Sequence, residues 1–133
     1  DPALIRRKFQ KIINSANALD PKVLDRIVPQ LYNREMLQEV RKSHPFREYI
    51  YTLYASTDSN AEVLKFLAVT PEIRAITIPL DRVEEEFVRA VRRAGRLVHT
   101  HTSNDVDQIR YLNSIGISGV YTDFVGPRDL SLQ

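Results

Sequence analysis

The chain has 133 residues, 43% of them hydrophobic, and 19 Lys and Arg against 17 Asp and Glu leave a formal net charge of +2. That composition describes one globular domain over 1–133 and excludes a fibrous repeat or a disordered tail. The small charge excess gives no argument for nucleic acid, the absence of cysteine excludes a disulfide scaffold and thiol catalysis, and no apolar run is long enough to span a bilayer.

The chain opens on Asp1-Pro2, with neither an initiator methionine nor a signal peptide, and reads as a cut within a longer sequence. Asp1 is placed to cap a first helix with Pro2 at its first position, and Ile5, Phe9, Ile12, Ile13 and Ala16 share one face of it. A strand is expected over 26–32 (RIVPQLY), then a helix begun by Asn33 that turns Met36, Leu37 and Val40 inward. A second strand is expected over 49–55 (YIYTLYA), followed by a helix opened by a Ser59/Glu62 capping box. The third strand covers 74–79 (RAITIP). Asp81 and Glu84 have capping-box spacing ahead of Phe87, Val88 and Val91, and Gly95 stops that helix. The fourth strand covers 96–102 (RLVHTHT), Asn104 caps the next helix, Gly116 stops it, and the fifth strand covers 119–125 (GVYTDFV).

Strand and helix alternate at the pitch of βα units, which requires crossover connections and therefore a parallel sheet. Two architectures fit. One is a flavodoxin-like doubly wound sheet with helices on both faces; the other is part of a (β/α)₈ barrel with all helices on one face.

In either architecture ligands meet the carboxyl ends of the strands, so Gln30, Tyr32, Thr52, Tyr54, Pro79, 101–104, Thr122 and Asp123 are the positions of interest. His99 and His101 alternate on one strand and point the same way, a pair that a carboxylate such as Asp123 could complete into a three-ligand metal site. The plainer reading holds His99 in the sheet by a hydrogen bond and sets His101 at a pocket mouth. His44 reads as a solvated loop residue. Asp123 reads as an anchor for loop amides or as a substrate contact, because an unpaired buried carboxylate is costly. Tyr32, Tyr49, Tyr51, Tyr54 and Tyr121 read as core residues with polar tips, and Arg6-Arg7-Lys8 and Arg92-Arg93 as solvated helix faces. No Gly-rich phosphate loop and no nucleophile elbow is present.

His101-Thr102-Ser103-Asn104, then a helix, then Gly116-Ile117-Ser118-Gly119-Val120-Tyr121-Thr122-Asp123, resembles the closing motifs of the glycerophosphodiester phosphodiesterase barrels, allied to phosphatidylinositol-specific phospholipase C. The strand around Gln30 and the Tyr51-Thr52-Leu53-Tyr54 segment resemble middle strands of bacterial members. The resemblance implies a partial TIM barrel, strands four to eight preceded by the third helix, with lipid-metabolic chemistry on a phosphodiester or phospholipid head group. It implies that the family's catalytic His pair, carboxylates and Lys belong to the first three strands, so that this chain carries no catalytic residue and is inactive alone. His101, Gln30, Tyr54 and Asp123 are then its substrate-binding residues. A divalent cation, Ca or Mg, is expected for the full barrel and none for this chain by itself. With two open sheet edges, the chain is expected to form an oligomer or to associate with an N-terminal half, and Ile76, Ile78 and Val98 are expected to face the barrel interior.

Overall fold

The computed structural model describes residues 1–131. Five strands form one parallel sheet in sequential order. They are β1 (Gln30–Leu31), β2 (Tyr49–Thr52), β3 (Ile73–Pro79), β4 (Leu97–His101) and β5 (Gly119–Tyr121). Helix α1 (Pro2–Leu19) precedes them, and α2 (Arg34–Ser43), α3 (Asn60–Ala68), α4 (Glu85–Arg93) and α5 (Val106–Ser114) connect them in turn. A short α6 (Pro127–Ser131) follows β5. Sequential order excludes the flavodoxin-like alternative, whose strands would be shuffled about the first.

The register divides the sheet into two unlike faces. Leu31, Tyr51, Ile76 and Val98 lie side by side across four strands. All four are at most 1% exposed. With Ile78 they belong to the same apolar cluster as Leu37 and Val40 of α2, Val63 and Leu67 of α3, Val88 and Val91 of α4, and Leu112 of α5. This is the helix side. The alternate positions give Thr52, Thr77, His99 and Gly119 in one row, and Pro79, His101 and Tyr121 in the next. Ile76, Ile78 and Val98 therefore do not face the open side. Strand residues alternate in direction, and these three share parity with the helix-packed row.

Five of the expected helix ends are built as the sequence suggests. The Asp1 side chain accepts from the Ala3 amide, Asn33 caps α2, Ser59 and Glu62 form a reciprocal box, and Gly95 and Gly116 take φ +77° and +104°. Two others differ. Asp81 falls in a 3₁₀ turn (Leu80–Arg82) and α4 starts without a side-chain cap. Asp105, not Asn104, caps α5 by accepting from the Gln108 amide.

The strands are also shorter than expected at the edges. Pro21–Arg26 is a 3₁₀ helix capped by Asp20, so β1 keeps only two residues of 26–32. A proline at 29 has no amide to donate to a ladder, which fits pairing that begins only at Gln30. β5 ends at Tyr121, leaving Thr122 and Asp123 in the following loop.

Candidate functional site

At the carboxyl ends of the strands, on the face turned away from the helices, Gln30, Tyr32, Thr52, Tyr54, His101 and Tyr121 enclose an open cavity of about 270 Å³. The parallel register places it there. Pro79, His101 and Tyr121 end β3, β4 and β5 level with one another, while Thr52 ends β2 two residues lower beside Thr77, leaving β2 and β4 separated by the Pro79 end of β3. Across that gap the Tyr54 ring lies 5.7 Å from the His101 ring, while Tyr121 stacks on the other side of His101 at 6.3 Å with 14° between planes. Tyr121 Oη is 3.5 Å from Thr77 Oγ1, and Thr77 itself is fully buried.

His101 Nε2 is buried and has no hydrogen-bond partner among the described residues. An unmatched polar atom in that position is the kind of group a ligand satisfies on arrival. His99, one row below, packs over Gly119, where an added Cβ would lie 3.1 Å from its Cδ2, and edge-on to Tyr121. It has no hydrogen bond among the described residues, contrary to expectation, and burial pushes its pKa below the ordinary histidine value.

Three of the four expected binding residues, Gln30, Tyr54 and His101, thus meet in one cavity. Asp123 does not join them. It is exposed in the loop after β5, where its carboxylate accepts from Asn104 Nδ2 at 3.2 Å and its amide donates to Asn104 Oδ1 at 2.8 Å. Asn104 Oδ1 also accepts from Thr122 Oγ1 at 2.9 Å, so the Thr-Asp pair and Asn104 clamp two loops together. This is the anchoring role.

His99, His101 and Asp123 do not converge, and among the described residues no group of three His, Cys, Asp or Glu side chains could hold a metal ion. A hard cation such as Ca or Mg takes several carboxylate or carbonyl oxygens. The cavity is lined by no carboxylate at all. These residues do not fit a divalent cation.

Three tyrosine assignments change. Tyr49 and Tyr51 are core residues, each 1% exposed, but Tyr32, Tyr54 and Tyr121 are 52%, 69% and 40% exposed at the cavity. Strand parity carries the signal for Tyr121, which is two residues beyond Gly119 on the open face. His44 is half-buried, with its ring 4.7 Å from Phe46, and is not a free loop residue.

A polar knot beside the cavity escaped the sequence reading. Tyr51 Oη donates to Asp58 Oδ2 at 2.9 Å, and Arg34 reaches the same oxygen through Nε at 3.1 Å and Nη2 at 2.8 Å. Arg82 donates to the Ser56 and Asp58 carbonyls. Burial alone would raise the Asp58 pKa, but the bonds from Tyr51 and Arg34 and the Arg34 charge outweigh it, and the net shift is downward. The knot ties the loop after β2, which also carries Tyr54, to the turns that follow β1 and β3.

A family model described as the glycerophosphoryl diester phosphodiesterase family matches residues 5–127. A comparison with curated proteins gives no match. Among solved structures, one described as a glycerophosphoryl diester phosphodiesterase from Silicibacter pomeroyi DSS-3 superposes with a TM-score of 0.73 at 20% identity, covering 98% of this chain and 45% of that one. A glycerophosphodiester phosphodiesterase from Parabacteroides distasonis ATCC 8503 gives 0.68 at 17% identity, covering 92% and 49%. The chain spans less than half the length of either.

Proposed function

The chain belongs to the glycerophosphoryl diester phosphodiesterase family, and from that premise we propose that its five strands form one wall of a phosphodiester-hydrolysing barrel, the C-terminal part in strand order, serving lipid metabolism. The observation that carries the reading is the cavity of Gln30, Tyr32, Thr52, Tyr54, His101 and Tyr121 at the carboxyl ends of parallel strands. That is the end at which barrels of this kind present their loops to substrate.

The wall binds and does not cleave. Its tyrosine rings and hydroxyls, the Gln30 amide and the unmatched His101 Nε2 suit the alcohol portion of a glycerophosphodiester or phospholipid head group. A proton-transfer pair of the kind the reaction needs contributes about 10²- to 10⁴-fold for each positioned group. Among the described residues that line the cavity there is no carboxylate, no lysine and no second histidine to work with His101. The proton-moving residues, and the carboxylates for a Ca or Mg ion, come on this reading from strands outside this chain.

The test is a diesterase assay on the isolated chain alongside NMR titration with a soluble glycerophosphodiester. Turnover at background level, with shifts at Tyr54, His101 and Tyr121 but not at Asp123, is expected. Measurable hydrolysis that disappears in His101→Ala would show that these strands catalyse by themselves.

A further inference from the structure

With 69% of its surface in solvent, the Tyr54 ring is not fixed by burial, so its place beside His101 depends on the backbone that carries it. Before it, Leu53 is buried and its amide donates to the Thr77 carbonyl of β3 at 2.8 Å. After it, the Ser56 amide donates back to the Leu53 carbonyl at 3.2 Å and closes a turn with Tyr54 and Ala55 at its corner. A turn held only there would pivot on Leu53.

What stops the pivot stands outside the cavity. Arg82 belongs to the 3₁₀ turn after β3 and lines no part of the cavity. The acceptors of its guanidinium all lie in 56–60. Nη1 donates to the Ser56 carbonyl at 3.4 Å, and Nη2 donates to the Asp58 carbonyl and, at 3.4 Å, to Asn60 Oδ1. One planar fork therefore spans the link from the Tyr54 turn to the first residue of α3. Asp58 adds a second brace: its carboxylate takes the bonds from Tyr51 and Arg34, and its amide donates to Ser56 Oγ at 3.2 Å. Capping α3 does not explain these bonds, because the Ser59 and Glu62 box already does that.

We propose that Arg82 and Asp58 are positioning residues for the binding wall, holding the Tyr54 ring at His101 before any ligand arrives. The ring is then ordered in folding, and its ordering no longer weakens binding. The proposal rests on the reading of this cavity as the place where a glycerophosphodiester binds. Neither residue touches the ligand; both act through Tyr54.

Two measurements on the full chain test it. One is binding of glycerophosphocholine by NMR titration. The other, without ligand and at constant pH, is the shift of the carbon-bound ring protons of His101, which sense the Tyr54 ring. Arg82→Gln should weaken binding about 2- to 10-fold, the effect of having to order one side chain. It should also move the His101 signals toward their positions in Tyr54→Ala. In the Tyr54→Ala background, Arg82→Gln should change the affinity no further, because its effect passes through the missing ring. A residue that only stabilises the fold would weaken binding equally in both backgrounds, and that additive result overturns the proposal. His101 signals that keep their wild-type positions in Arg82→Gln overturn it too. Where Arg82→Gln does not fold, Asp58→Asn, which keeps the size of the side chain, takes its place under the same criteria. If the wild-type chain does not bind the diester, the binding assigned to the cavity falls, and the His101 shifts still decide whether Arg82 positions Tyr54.

Discussion

The helix side and the open side of the sheet are made by the same strands, yet they obey different rules. On the helix side Leu31, Tyr51, Ile76 and Val98 form an unbroken buried row, and nearly every atom there is held by packing. On the open side the corresponding row is Thr52, Thr77, His99 and Gly119, and above it stand rings that are partly exposed. A fold can therefore devote one parity of each strand to stability and leave the other free to change with its ligand. Parity, more than depth in the protein, separates the two jobs.

The largest expected effect tests that division directly. Ile76→Ala removes a side chain that is 0% exposed and should cost about 2–5 kcal/mol in urea unfolding, with a cavity left behind. His101→Ala, at the neighbouring parity, should cost about 1 kcal/mol or less, because it deletes a nitrogen that has no partner to lose. Equal costs for the two would break the comparison.

Tyr51 straddles the divide, with its ring in the core and its hydroxyl in the knot. Tyr51→Phe keeps the packing and removes one bond to a carboxylate that Arg34 still holds, so a loss of about 1.5 kcal/mol is expected, the order for a hydrogen bond to a charged group. The same variant should loosen the Tyr54 loop, read as broadened NMR signals over residues 54–58. Unchanged signals there would detach the knot from the cavity.

The smallest effect is a pH slope. His99 has a folded pKa below the value of about 6.5 that it takes when unfolded, so between the two values the unfolded chain holds a proton that the folded chain refuses. Stability contributed by His99 is complete above about pH 6.5 and is lost as pH falls through that window. His99→Gln should flatten this part of the curve. A slope unchanged by the substitution would mean the ring is not held in its neutral form by burial.

The middle of the fold was legible because its signals agree. In 74–79 and 96–102, β-branched runs lie between clear helix ends, and the strands found are Ile73–Pro79 and Leu97–His101. The edges misled because propensity overrode local chemistry. In 26–32 apolar residues suggested a strand, while Asp20-Pro21 was already an N-terminal signal for a helical turn and Pro29 a ladder breaker. Asn104 and Asp105 both suit a cap, and only tertiary contact with Thr122 and Asp123 draws Asn104 away. For the site, strand ends and the His-x-His alternation located Gln30, Tyr54 and His101. Nothing in the sequence marked Arg34, Asp58 and Arg82 as a unit, since their union needs three loops to meet in space.

Strand length tapers from seven residues in β3 and five in β4 to two in β1 and three in β5. Each ladder bond is protected by the bonds on either side of it, so opening should begin at the ends of the array and reach the centre last. The amides of Ile76 and Ile78, flanked by strands on both sides and sealed beneath helices, then report global unfolding in hydrogen exchange. Those of β1 and β5 exchange through local fraying, at a free energy well below that of the whole. The molecule has a clock at its middle and short fuses at its rims, and a mixed population of slow and fast amides is the record of its shape.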